Sequence, residues 1–336
     1  MIKRILRWGI IGTGTIARTF AGQLPFSKTG TLAAVASRDP ASAKAFAEKH
    51  GAQRAHGSYA ALLADDTVEA VYLTTPHPLH AEWAIAAAKA GKHILCEKPL
   101  TMSVADSRRV IAAAQRHGVF LMEAFMYRCH PQTQRIAALI REGAIGTPRR
   151  IEASFSFQQP FDARHRLYNK ALGGGGILDV GCYVLSVARL VAGAAKGLAF
   201  ENPEFISGRA LIAPTGVDYA AAALLQFPGG LLAQVSCGTG LQCEKYLRVY
   251  GDEGWLHVPD FWMPPTRIEL HLPGKRAPRI IAPKTWPQHL YACEADAVAD
   301  ALPAQESPLV CWNDTLGNMQ ALEAWLKQSG VSHRSR

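Results

Sequence analysis

Several features that would place the chain in a special class are missing. Its seven cysteines (Cys96, Cys129, Cys182, Cys237, Cys243, Cys293 and Cys311) are odd in number and dispersed, and none stands in a C-x-x-C pair. That spacing indicates neither a metal site nor a redox pair, and it reads as buried thiols in a reducing compartment. No stretch of 18 or more apolar residues occurs, so no bilayer-spanning segment and no membrane partner are expected. The basic start, Met1 to Arg4, leads into an apolar run broken by Arg7 and Gly9, which is too short for a signal peptide and reads as a strand. A cytoplasmic setting is the expectation. Internal repeats and low-complexity tracts are also lacking. Lys plus Arg outnumber Asp plus Glu by 36 to 27, a net charge of +9. The basic residues are scattered, with pairs such as Arg108-Arg109 but no run of five. No nucleic-acid-binding signature accompanies them, so no nucleic-acid partner is expected and a phosphorylated ligand stays open.

What is present is an ordinary globular composition. The chain has 336 residues, of which 49% are hydrophobic and 19% charged, enough for two domains with sizeable cores. Its first 120 or so residues alternate short apolar runs with helical periodicity, the pattern of a parallel sheet covered on both faces. Strands are expected at Leu6–Ile11, Leu32–Ser37, Ala70–Thr75, His93–Glu97 and Val119–Ala124, with helices at Thr15–Leu24, Pro40–His50, Leu79–Ala90 and Val104–His117. Asp39-Pro40 reads as a helix start, and Gly51, Gly91 and Gly118 read as helix ends. From Pro131 the pattern changes. A helix near Gln132–Arg141 precedes an alternating strand with Ile151, Ala153, Phe155 and Phe157 on one face. A glycine loop at 173–176 then opens a helix from Ile177 to Val191. Hairpin signals follow at 227–230, 251–254 and 273–275, before helices at His289–Ala301 and Asn313–Lys327. The fold class is therefore α/β, a Rossmann-type doubly wound sheet over residues 1–124 and an α/β domain with a large, mostly antiparallel, open-faced sheet over 125–336. The C-terminal helices are candidates to pack back on the first domain.

Four groups of residues carry chemistry. Gly12-Thr13-Gly14-Thr15-Ile16-Ala17 follows the first strand and opens the first helix. There Gly12 permits the turn, Gly14 lets the backbone approach a pyrophosphate, and Ala17 allows close helix–strand packing. At the tip of the second strand, Ser37 and Arg38 stand where an acid would read a ribose 2′-hydroxyl, which favours NADP over NAD. Asp39 either reaches that ribose or simply caps the next helix. Glu97-Lys98-Pro99 ends a strand at the ligand-binding edge, where Lys98 holds a charge and Pro99 fixes the backbone. Asp179 and Tyr183 lie four apart on one helical face. His77 and His80 flank Pro78: either they line a nicotinamide pocket, or His80 starts a helix and His77 faces solvent. Arg164, His165 and Arg166 either reach an anion or form a solvated loop, and no metal site is expected.

These residues resemble the glucose–fructose oxidoreductase/inositol dehydrogenase (Gfo/Idh/MocA) family over nearly the full chain, through 12–17, Ser37-Arg38, Thr74-Thr75-Pro76-His77, Cys96-Glu97-Lys98-Pro99 and 174–183. The segment from Glu123 to Arg128, with His130-Pro131, resembles a narrower branch of dihydrodiol dehydrogenases and NADP-dependent aldose dehydrogenases. Tyr183 stands where inositol dehydrogenase-like members place histidine. The resemblance implies that Lys98, Asp179 and Tyr183 are catalytic. It also implies that Gly12, Thr13, Gly14, Thr15, Ile16, Ser37, Arg38, Thr75, Pro76, His80, Glu97 and Lys98 bind NADP. The implied substrate is a sugar or diol, and the implied assembly is a homodimer or homotetramer through the second domain's sheet. A free tyrosine with pKa near 10 is about 0.1% phenolate at neutral pH; a lysine charge favours that form, so Tyr183 is expected to exchange the substrate's hydroxyl proton. An inositol or another sugar, NAD, or a noncatalytic NADP-binding regulator are the alternatives.

Overall fold

The computed structural model describes residues 5–333. From the amino end, strands and helices alternate: β1 (Leu6–Ile11), α1 (Thr15–Gln23), β2 (Gly30–Ala36), α2 (Pro40–His50), β3 (Arg54–His56), α3 (Tyr59–Leu63), β4 (Ala70–Leu73), α4 (His80–Lys89), β5 (His93–Glu97), α5 (Val104–His117) and β6 (Leu121–Ala124). The six strands form one sheet in the order β3-β2-β1-β4-β5-β6, with every neighbouring pair parallel. Every residue of β4 and β6 is buried, as a sheet covered on both faces requires. The order reverses between β1 and β4, so the turns after these strands border the crevice where such sheets hold ligands.

β3 and α3 were not expected. A three-residue edge strand has no periodicity to read, and β3 is held by side chains instead. Asp65 pairs with Arg54 at 3.1 Å and with His56 at 2.9 Å, and it takes the Thr67 hydroxyl at 2.6 Å. Its carboxyl lies well below the usual range, because these hydrogen bonds and Arg54 outweigh the burial that opposes ionisation.

The chain continues through α6 (Pro131–Arg141), β7 (Pro148–Ser156), a π-helical turn at Ile177–Gly181, α7 (Cys182–Ala194), β8 (Phe205–Ile212), β9 (Asp218–Gln226), β10 (Leu232–Gly238), β11 (Tyr246–Gly251), β12 (Trp255–Pro259), β13 (Ile268–His271), β14 (Arg279–Ile281), α8 (Leu290–Ala301) and α9 (Trp312–Gln328). β7 to β14 build an eight-stranded sheet ordered β14-β13-β12-β11-β7-β10-β9-β8. Its pairs are antiparallel except β7 with β10. All 13 residues of α7 are buried, and the helix covers one face of this sheet. The stretch Lys170–Ala194 is apolar enough over an 18-residue window to qualify as a spanning helix, contrary to the expectation from the sequence. That window is entirely buried, the setting of a core helix.

Two compact units result. One is Met1–Cys129 with His289–Thr315, and the other is His130–Gln288 with Leu316–Arg336. Residues 289–315, counted with the second domain by a boundary at 124/125, thus fold with the first. α8 brings them back: the Tyr291 amide donates to Gln23 at 2.8 Å, and Asp296 accepts from Ser27 and Thr29, each at 2.6 Å.

Candidate functional site

The glycine turn sits at the carboxyl end of β1, beside the reversal in strand order. Gly12 has φ of 110°, and a Cβ there would stand 2.6 Å from Thr74 Oγ1, so only glycine fits. Gly14 is exposed, and a Cβ there would meet nothing within 4 Å, which leaves the backbone open to approach. α1 begins at this point without a capping side chain, whereas Asp39, Ser58 and Ser103 cap α2, α3 and α5. The first-turn amides of Thr15 and Ile16 are thus available, and the helix dipole favours an anion there. This is a fit for a dinucleotide pyrophosphate.

At the tip of β2, Ser37 is 9% exposed and its Oγ accepts from the Asp39 amide at 3.2 Å. Both oxygens of Asp39 are spent on α2: Oδ1 accepts from the Ala41 amide at 3.2 Å, and Oδ2 from the Ser42 amide at 3.1 Å and the Ser42 hydroxyl at 2.5 Å. The Ser42 hydroxyl and the two amides hold the Asp39 carboxyl below its ordinary pKa. Of the two readings of Asp39, the structure shows the cap, and Arg38 stands exposed next to it.

β4 and β5 supply the neighbouring turns. Thr74 Oγ1 donates to Ile11 O at 2.9 Å, joining the ends of β4 and β1. Thr75 Oγ1 is buried without a hydrogen-bond partner, and Pro76 follows it, half-buried. His80 starts α4 and is wholly buried, with Nδ1 3.0 Å from Pro99 O and Nε2 2.8 Å from Thr75 O. Burial lowers its pKa, and the Lys98 charge adds to that lowering. Its ring is a strut between the turns after β4 and β5. His77, expected in solvent on one reading, is 8% exposed and lies edge-on to His80 at 5.6 Å. The Glu97 carboxylate is buried and accepts from the Tyr72 hydroxyl within the same unit, which spends one oxygen on the sheet. Lys98, the next residue, is half-buried at the tip of β5.

In the second unit, Asp179 lies in the π-helical turn and Tyr183 in the first turn of α7. Asp179 is 4% exposed, and Arg166 Nη1 pairs with its Oδ1 at 3.1 Å. Of the three basic loop residues, Arg166 therefore serves this acid. Arg164 is an exposed partner of Asp162, and His165 Nδ1 accepts from the Leu167 amide at 3.3 Å. The Tyr183 ring packs edge-on against Phe155 at 5.2 Å and Trp262 at 5.8 Å, and the Trp262 indole N–H donates to Ser154 O at 2.7 Å. Phe155 thus lies against the candidate catalytic ring. Trp262 carried no signal in the sequence, because it is brought to Tyr183 only by the sheet. The glycine loop packs closely on the segment before it: a Cβ on Gly174 would stand 2.7 Å from Leu167 O.

Comparison with known proteins agrees with this arrangement. Residues 6–125 match the Gfo/Idh/MocA oxidoreductase family with its NAD-binding Rossmann fold, and residues 133–257 match that family's C-terminal domain. The D-xylose 1-dehydrogenase (NADP(+)) 2 of Haloferax volcanii is 35% identical over 320 residues, 95% of this chain and 96% of that protein. The chain belongs to the Gfo/Idh/MocA family. Another relative, the trans-1,2-dihydrobenzene-1,2-diol dehydrogenase of Mus musculus, is 34% identical over 97% of this chain and 98% of its own. Among solved structures, the aldose-aldose oxidoreductase of Caulobacter crescentus, complexed with glycerol, superposes with a TM-score of 0.87 at 27% identity, covering 97% of this chain and 98% of that one. Within this family member, the first unit gathers Gly12–Ile16, Ser37-Arg38, Thr75-Pro76 and Lys98 at the carboxyl ends of one sheet, while the second groups Asp179, Tyr183 and Arg166 around one helical segment.

Proposed function

We propose that this chain is an NADP-dependent oxidoreductase acting on a carbinol or hemiacetal carbon of a sugar or trans-diol. The observation that carries the reading is end-to-end similarity to an NADP-dependent xylose dehydrogenase and to diol dehydrogenases. When bound, the nicotinamide supplies or accepts the hydride. Tyr183 takes the hydroxyl proton during oxidation and returns it during reduction. Lys98 contributes the positive charge that favours both a phenolate and a developing alkoxide. Asp179, balanced by Arg166, orients a substrate hydroxyl. The uncapped start of α1 holds the pyrophosphate, and Arg38 reads the 2′-phosphate.

Absorbance of the reduced nicotinamide, followed with aldoses, inositols and trans-diols and with NADP and NAD in parallel, tests this directly. Turnover is expected with NADP and an aldose or trans-diol. Arg38→Ala should raise KM for NADP about 10- to 100-fold, the value of one charge-assisted phosphate contact, and leave KM for NAD within twofold. Silence across the whole panel would replace this reading with a noncatalytic NADP-binding protein.

The second unit's sheet also exposes a side without helix cover, carrying Phe205, Leu211, Leu224 and Leu232, each at least half exposed. Their register places them on one face of β8 to β10, which supports self-association through this surface as a homodimer or homotetramer. Light scattering of the purified chain measures the state, and a monomer at micromolar concentration would remove this part.

A further inference from the structure

One buried acid next to Asp179 has no part in the chemistry above. Asp218, the first residue of β9, is 0% exposed. Its Oδ2 accepts from the Ile177 amide at 2.7 Å, and the backbone amides of Gly176 and of Asp218 itself also favour its charged form. Its Oδ1 is buried with no hydrogen-bond partner. The backbone is shaped around it: Gly175 has φ of 117°, a Cβ there would stand 2.4 Å from Oδ1, and a Cβ on Gly176 would stand 3.2 Å from Oδ2. The same glycine closes the turn that carries Asp179, whose amide donates to Gly175 O at 3.1 Å. Asp218 therefore grips the entrance of the helical segment on which Asp179 and Tyr183 are mounted.

A neutral serine or asparagine at this position would accept these amides more weakly than a carboxylate does. Burying a carboxylate without a cation is costly, so the charge itself calls for a function. The Asp179 charge acts on it from the π-helical turn, the Cys237 thiol of β10 is raised by burial and then by the charges of Asp218, Cys182 and Asp179, and Arg166 pairs with Asp179 at 3.1 Å. From β8 the register partner is the uncharged Ile212. Burial, reinforced by the Asp179 charge and opposed by the amide hydrogen bonds, raises the Asp218 pKa to about 6.

We propose that Asp218 is a positioning residue for hydride transfer: ionised, it draws the Gly176 and Ile177 amides into the turn that aims Asp179, and protonated, it releases that turn. The proposal rests on the assignment of Asp179 and Tyr183 to the reaction. Protonation removes the charge that strengthens these amide hydrogen bonds and turns an acceptor-only carboxylate into a group that carries a hydroxyl donor. Stability carries the opposite sign. The folded chain holds a proton on Asp218 between pH 4 and 6 that the unfolded chain has lost, so this acid makes the fold less stable as pH rises through that window.

The test is a pH profile of kcat and KM from 4.5 to 8.5 for the wild type and Asp218→Asn, with nucleotide affinity from tryptophan quenching as the check on folding. The wild type should lose kcat below about pH 6. Asparagine fixes the released state, so kcat should fall at least tenfold at pH 8, coenzyme affinity should stay within twofold, and the limb near pH 6 should vanish. A variant that keeps the wild-type limb, or whose kcat stays within twofold, overturns the proposal. If the variant does not fold, 13C-carboxyl aspartate in the wild type decides. A resonance titrating in step with kcat supports the proposal, and none titrating between pH 5 and 7 overturns it. Loss of activity in Tyr183→Phe with a wild-type response in Asp218→Asn refutes this inference alone, whereas full activity in Tyr183→Phe refutes the reading beneath it.

Discussion

Tyr183→Phe should lower kcat by about 10²- to 10⁴-fold, the range that a positioned acid–base group contributes. The substitution removes one hydroxyl and leaves the ring. Tyr183 is 5% exposed, and its ring is flanked by Phe155 and Trp262, with the indole held by Ser154. Phenylalanine fills the same space, so the melting temperature should stay within a few degrees and coenzyme affinity within twofold. The loss therefore reports chemistry rather than packing. Lys98→Met should cost a similar factor if both groups serve one proton transfer. The double variant should then be scarcely worse than either single one, since groups acting as a unit are grossly non-additive. A phenylalanine variant retaining kcat within threefold of wild type would end the assignment of Tyr183 as the acid–base group.

Asp314→Ala should destabilise the first unit by about 3–5 kcal/mol, the cost of leaving a buried charge without its partner. Arg128 is 2% exposed and Asp314 4% exposed; Arg128 Nη2 lies 2.9 Å from Asp314 Oδ2 and donates to Leu309 O at 2.8 Å. Desolvation opposes the charge on Arg128, and Asp314 and the surrounding hydrogen bonds more than restore it. With the aspartate gone, the guanidinium stays charged at a buried site. Urea denaturation of the variant measures the loss. The companion Arg128→Met/Asp314→Leu should recover most of it, because replacing both charges removes the desolvation cost as well as the attraction. A loss below about 1 kcal/mol in Asp314→Ala would show that water reaches this pair.

The sequence made local structure legible and long-range contact largely illegible. Asp39-Pro40 and the glycines at 51, 91 and 118 marked helix ends because those residues act on their own neighbours, and β1 and β5 fall where their apolar runs do. The hairpins β9–β10, β11–β12 and β13–β14 were readable from their turns for the same reason. The parallel pairing of β7 with β10 was not, since no turn joins those strands. The site divides in the same way. The glycine turn, Arg38 and Lys98 sit at strand tips that periodicity locates. His80, Glu97, Trp262 and Asp218 take their roles from partners set by tertiary packing; Asp218 and Ile177, for example, are 41 residues apart. A histidine before a helix or an acid at a strand's start looks alike in sequence whether it touches a ligand or a backbone carbonyl.

The return of α8 also fixes when the nucleotide-binding half can be finished. Residues 289–315 leave the ribosome only after the whole span from 130 to 288 has been made. At about 5–20 residues per second, the wait after Cys129 emerges is roughly 10–40 s. During that interval the nascent sheet lacks the helix that supplies Tyr291, Glu294 and Asp296, and its bare flank is open to chaperones, to proteases and to other unfinished chains.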